Sequence, residues 1–168
     1  MMDMANRYPD KAHRPDHILW NGLKVKTADR WLVPIRGTIQ IAILSNSADI
    51  EQGVDVEFED GALQLNGGEN ISLLRTWADS RYEDMVSYPY FSQSGRICVW
   101  NVYKLNLPNG RIREAKWTGN AGFWVDEPSS GHRIYHCSHG MAVKPDFDLF
   151  TFRIVAHSAE EIPLIDCT

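Results

Sequence analysis

The segment Gly131–Gly140, GHRIYHCSHG, gathers three of the chain's six histidines and one of its three cysteines. Imidazole, thiolate and carboxylate are the groups that ligate transition metals, and a thiolate beside an imidazole is also a nucleophile. Both chemistries require the groups to converge. On a strand, His132 and His136 point to the same face but sit ~13 Å apart, too far to share an ion. On a helix the same spacing would bring them together. However, Ser129-Ser130-Gly131 before and Ser138-His139-Gly140 after leave only a strand's length between two turns. The convergent set that survives is His136 and His139, joined by a sharp turn, with Asp146 and Asp148 of KPDFDLF supplying carboxylates to a divalent metal. The plainer reading is a strand imidazole and a turn histidine, with no cofactor.

Nucleophilic catalysis has little to build on. Cys137 follows His136 directly, so on a strand the two face opposite ways. Cys98 sits in an apolar run, and no serine occupies a G-x-S-x-G elbow. A metal-dependent or small-molecule-processing enzyme around His136 and His139 is therefore the alternative to a binding protein.

Three other stretches offer surfaces for recognition. The segment Trp117–Trp124, WTGNAGFW, sets two tryptophans around glycines; it lacks the lysine of a phosphate loop and reads as an aromatic loop or a bulged strand. Tyr88-Pro89-Tyr90-Phe91, with Tyr82 before it, is a proline-broken aromatic run expected in a loop. The acids Asp49, Glu51, Asp55, Glu57, Glu59 and Asp60 form a negative stretch without EF-hand spacing. It is either a solvated face or a patch for a basic partner.

The elements that must position these residues are strands. Val54–Asn66, VDVEFEDGALQLN, alternates apolar and polar residues around Asp60-Gly61, a two-residue turn signal. A hairpin here pairs Phe58 with Leu63 and puts Asp55, Glu57 and Glu59 together on a solvent face. Ile39, Ile41 and Ile43 alternate in TIQIAIL. Arg96–Leu105, RICVWNVYKL, is apolar on both faces, as a central strand is, and leads into a turn at Pro108-Asn109-Gly110. Further strands are expected over Ile71–Trp77, Ile112–Trp117, His132–Cys137 and Leu149–Val155. Helix is limited to a turn over Ala78–Met85 and a tail interrupted by Pro163.

The expected architecture is all-β: a single-domain antiparallel β-sandwich of about nine short strands, with a β-barrel as the alternative. Residues 1–17 read as a flexible N-terminal arm and 18–168 as the β domain. A chain of 168 residues, 43% hydrophobic and 23% charged, can bury one core without staples. The net charge of −5 disfavours nucleic acid. No apolar run reaches the ~20 residues of a membrane helix. The N-terminal stretch lacks the apolar segment of a secretory signal, and three unpaired cysteines suit a reducing compartment, so a cytoplasmic location is expected.

The functional expectation is a non-catalytic binding or interaction protein. Its partner is expected to be another protein, with basic charge if the acidic face is the contact. By charge and size alone, it is comparable to an immunity protein or inhibitor. Expected contact residues are Asp55, Glu57, Glu59, Tyr88, Tyr90, Phe91, Trp117 and Trp124.

Overall fold

The computed structural model describes residues 2–47, 49–78 and 85–159. The expected Ala78–Met85 turn, Tyr82 and the tail from Glu160 lie largely outside this set. After a short helix α1 (Met4–Arg7) and a helical turn at Lys11–His13, the described chain is built of strands. These are β1 (Ile18–Trp20), β2 (Leu23–Val25), β3 (Asp29–Leu32), β4 (Arg36–Asn46), β5 (Gln52–Phe58), β6 (Gly61–Gln64) and β7 (Asn70–Ile71). They continue with β8 (Leu73–Trp77), β9 (Met85–Ser92), β10 (Arg96–Asn106), β11 (Ile112–Ala115), β12 (Gly122–Ser129), β13 (His132–Ser138) and β14 (Phe150–Ser158). Fourteen strands replace the nine expected, because pieces as short as β1, β2 and β7 carry too few residues to show a period.

The strands form two antiparallel sheets, with β1–β2 as a separate ribbon, and no sheet closes into a barrel. One sheet has the order β12-β13-β14-β4-β9-β6-β7; the other runs β11-β10-β5-β8, with β3 also paired to β10. The fold is thus the all-β sandwich. Strand β10 pairs with β5 from Ile97 to Tyr103, and its opposite edge is divided between β3 and β11. One alternating set of β10, Ile97, Val99, Asn101 and Tyr103, faces Val54, Val56 and Phe58 of β5 in register and turns into the core. Ile39, Ile41 and Ile43 of β4, with Phe150, Phe152 and Ile154 of β14, close the core from the other sheet. The long apolar strand and the isoleucine alternation are both as expected.

The turn at Asp60-Gly61 is present, with Asp60 at φ 50°, but the hairpin is not. Strand β5 joins β8 and β10, whereas β6 joins β7 and β9, so the chain turns a corner from one sheet to the other. Phe58 and Leu63 are both buried, yet they come from opposite layers, with the Phe58 and Tyr90 rings 5.4 Å apart. Turn chemistry and alternation fit a corner as well as a hairpin, because each strand needs only one apolar face. A Cβ at Gly61 would fall 2.0 Å from the Phe91 carbonyl oxygen, so the corner also requires a residue without a side chain.

The Tyr88–Phe91 run is likewise corrected. It lies in β9, between β4 and β6, rather than in a loop. The ladder to β6 stops at Tyr90, so Pro89 falls one residue beyond the bonds it lacks an N–H to make. At the far end of this sheet, β12 carries a bulge between Asp126 and Ser129 that includes Pro128.

A buried charge cluster spans the two layers. Asp29 of β3 is fully buried; it accepts hydrogen bonds from Arg133 Nη1 at 2.9 and 2.7 Å and from the Tyr135 hydroxyl at 2.8 Å. Lys26 Nζ lies 3.4 Å away, and the Arg133 guanidinium packs 4.8 Å over Trp31. Burial opposes the Arg133 charge, but Asp29 outweighs it and raises the pKa. Burial, reinforced by Asp29, holds the Tyr135 hydroxyl protonated well above its ordinary range.

The N-terminal residues are anchored at their start. Met2 and Met4 are buried, the Met2 amide donates to Asn120 Oδ1 at 3.0 Å, and Asp3 Oδ1 caps α1 by accepting from the Asn6 amide.

Removing Asp29 strands an arginine and a phenol between the sheets. Asp29→Ala is expected to cost about 3–5 kcal/mol in urea unfolding. Replacing both charges by apolar groups, Asp29→Leu with Arg133→Met, should recover most of that loss. A double variant less stable than Asp29→Ala alone would show that the cluster stabilises through its charge.

Candidate functional site

Side chains alternate, so the outer face of the five-stranded sheet carries the other half of each strand. On β10 these are Arg96, Cys98, Trp100, Val102 and Lys104; opposite them in register stand Glu57, Asp55 and Gly53 of β5, and Arg30 and Leu32 of β3. Strand β3 leaves β10 at Val99 and β11 joins it only at Tyr103, so no strand among the described residues pairs with Trp100, Asn101 and Val102 on that edge. A cavity of about 490 Å³ opens at this fork. Its walls include Arg14 and Asp16 from the N-terminal segment, Arg30 of β3, Trp100 of β10, and Lys116 and Trp117 just beyond β11. A second hollow of about 610 Å³ continues toward Arg96, Leu32 and Glu59, sharing Arg30, Glu57 and Cys98 with the first. Together they make a trough that follows β10 for ~13 Å, the length of an extended four-residue step.

The fork end is aromatic and cationic. Lys116 Nζ lies 4.5 Å from the Trp100 ring and 4.4 Å from the Trp117 ring, and the Arg14 guanidinium lies 5.8 Å from Trp117. Trp117 has φ 64°, an uncommon left-handed conformation for a bulky residue, which marks a local constraint. Trp100 is 5% exposed, and its indole N–H finds no acceptor among the described residues. A buried donor left unpaired costs about 1–3 kcal/mol. Burial pushes the Cys98 thiol above its ordinary range, with Arg30 pulling the other way, so the thiol on the trough floor is not poised as a thiolate.

The expected acidic face does not form. Asp55 is fully buried and held by Arg75 through two hydrogen bonds, Nε–Oδ1 at 2.8 Å and Nη2–Oδ2 at 2.7 Å, and Arg75 also pairs with Glu114. Alternation placed Asp55 on the outer face correctly, but a salt bridge across three strands covers it. Glu57 and Glu59 are exposed, and they share the trough with Arg30 and Arg96.

The aromatic candidates divide among three places. Trp117 lies at the fork. Tyr88 and Tyr90 turn inward from β9; Tyr90 is buried, and its hydroxyl donates to the Pro34 carbonyl at 2.8 Å. Phe91 faces outward on the seven-stranded sheet, in a hollow of about 390 Å³ with Pro89 and Arg36. Trp124 is on β12, stacked on His136 with ring centroids 3.9 Å apart, so Trp117 and Trp124 do not form one aromatic loop.

The metal alternative is not assembled either. His136 stands on the outer face of β13 against Trp124, whereas His139, 7% exposed, follows the strand and accepts from the Met141 amide through Nδ1 at 3.1 Å. Asp146 receives no imidazole bond; its amide donates to Ser138 Oγ, and its carboxylate accepts from the Asp148 amide. Among the described residues, no three His, Cys, Asp or Glu side chains meet as a metal site.

Trp100, Arg30, Lys116 and Arg14 were missed by sequence reasoning. The signal for Trp100 was present in the alternation of Arg96, Cys98, Trp100 and Lys104. Lys116 beside Trp117, and Arg14 in an N-terminal segment whose acids and bases balance, gave none until the chain folded.

No known family matches this sequence, and comparisons with curated proteins and with solved structures find no relative and no structural neighbour. Among the described residues, no helix is long and apolar enough to cross a membrane.

Burial lowers the pKa of both His136 and His139, against the pull of nearby aspartates. The unfolded chain therefore takes up these protons first as pH falls. Stability is full above the ordinary histidine range, near 6.5, and declines as pH drops through that range toward the lowered folded-state values. The midpoint of thermal unfolding should fall over that interval, and the fall should be smaller in His136→Gln and His139→Gln. An unchanged pH profile in both variants would exclude these imidazoles as its source.

Proposed function

We propose that the protein is a non-catalytic binding domain, and that it holds an extended segment of another protein in the trough over β3, β5 and β10. The observation that carries this reading is the continuity of the two hollows through Arg30, Cys98 and Glu57. A compact ligand needs one enclosed pocket; an extended chain needs a channel along a strand with groups of both signs at intervals. Exposed Leu32 at one end and the tryptophans at the other supply apolar contact between the charged rows. Because cations and acids alternate here, this reading does not require the partner to be basic.

The test places a photoreactive amino acid at Leu32, in the trough, or at His157, exposed on the opposite sheet. In cells of the source organism, Leu32 should give a discrete cross-linked protein and His157 should not. The pair Arg30→Glu and Arg96→Glu should abolish that product while leaving the unfolding temperature within a few degrees, as exposed substitutions do. Equal cross-linking from both positions, or none from Leu32, would end this reading.

A further inference from the structure

We infer that the fork end of the trough is a carboxylate seat: a carboxylate of the bound segment pairs with Lys116 and Arg30 while its apolar portion lies against Trp117. This rests on the interaction reading and names the chemistry that anchors it.

Four observations converge on the cavity between β3 and β11. Neither Lys116 nor Arg30 has a carboxylate partner among the described residues, although both line the same wall. Lys116 is held over two indole rings, which fixes a cation without neutralising it. Asp16, an acid of the same wall, is already engaged by Lys26 at 3.6 Å and His17 at 3.5 Å. That leaves Glu57 against Arg14, Arg30 and Lys116, so a chain of net charge −5 presents a locally positive pocket. The fourth observation is Trp100 itself, an almost wholly buried residue on the cavity wall whose indole N–H has no acceptor among the described residues.

A carboxylate answers these groups together. It is planar, it carries two acceptor oxygens, and it bonds an ammonium and a guanidinium at once. An indole N–H is donor-only, so an anion seated beside Trp100 would offer the kind of acceptor that it lacks among the described residues. The apolar face that Trp117 contributes favours a carboxylate next to a hydrophobic group over a bare ion. Two sources share this chemistry: the terminal carboxylate of the segment, or an Asp or Glu side chain within it.

The experiment uses the full chain labelled with ¹⁵N and follows the indole N–H resonances. The probes are N-acetylphenylalanine, its uncharged amide, and N-acetylglutamate with an amidated α-carboxyl. The expected result is saturable shifts of the Trp100 and Trp117 indoles with at least one carboxylate probe and none with the neutral amide. Lys116→Gln and Arg30→Gln should each weaken binding about tenfold or more. Lys104→Gln, whose ammonium lies on Trp77 outside the cavity, should not. Binding of N-acetylphenylalanine alone assigns the seat to a chain terminus; binding of the glutamate probe assigns it to an internal acid. Equal shifts with the amide, or no shift with any probe, would overturn the inference. Carboxylate binding without a cross-linked partner would keep the seat and remove the interaction reading. A captured partner with no carboxylate preference would do the reverse.

Discussion

Asp29 has no access to solvent, and a carboxylate in that position must be paired where it sits. Beside Lys26, its partners come from the other sheet: Arg133 and Tyr135 of β13 reach across the core to a residue of β3. The contact sets the two layers in one relation, because a shift of either along its strands would leave a charge stranded. Apolar contacts between Phe123, Tyr135 and Phe152 surround the cluster but are less directional, so the hydrogen bonds specify a register that packing alone would leave looser. Holding β3 in this way also holds Arg30, the next residue on the opposite face, at the wall of the trough.

The same rule operates outward at Asp55. Arg75 spans from β8 to that carboxylate and on to Glu114 of β11, so three strands are tied on the face opposite the core. Beside it, Lys104 pairs with Glu51 at 2.7 Å and lies 4.5 Å over the Trp77 ring. The outer face is thus divided. On the β8 side, charges are consumed by one another; toward β3 and the fork, Arg30, Glu57 and Lys116 remain without ion-pair partners among the described residues. That division, rather than the count of acids in the stretch, decides which part of the surface is available to a ligand.

Much of this architecture was legible in the sequence. Alternation in TIQIAIL gave the correct face, the two-sided apolar run RICVWNVYKL gave a central strand, and Pro108-Asn109-Gly110 gave a true hairpin, with Gly110 at φ 79°. Asp60-Gly61 misled because a local signal reports that the chain turns, not which strand it then meets; β5 found two long partners elsewhere. Asp55 misled because alternation reports a face, whereas exposure depends on Arg75, twenty residues away. The histidine segment was read as a strand with opposed side chains, and β13 has that form. The site itself was less legible. Arg14, Arg30, Trp100 and Lys116 come from four separate segments, and only the splaying of β3 from β11 brings them to one cavity.

The bulge in β12 bears on how the molecule keeps to itself. A seven-stranded open sheet presents its last strand as a row of unpaired backbone groups, a template onto which another chain can add. At one end, β7 is only two residues long and offers little to copy. At the other, the first part of β12 is engaged where Phe123 exchanges backbone bonds with Lys26. The remainder carries Asp126, Glu127 and Pro128 in the irregular stretch: two like charges, a residue with no N–H, and a distorted ladder. Each interrupts the flat, repeating edge that cross-β stacking needs, so the sequence that deforms β12 also guards the protein against self-assembly through its widest sheet.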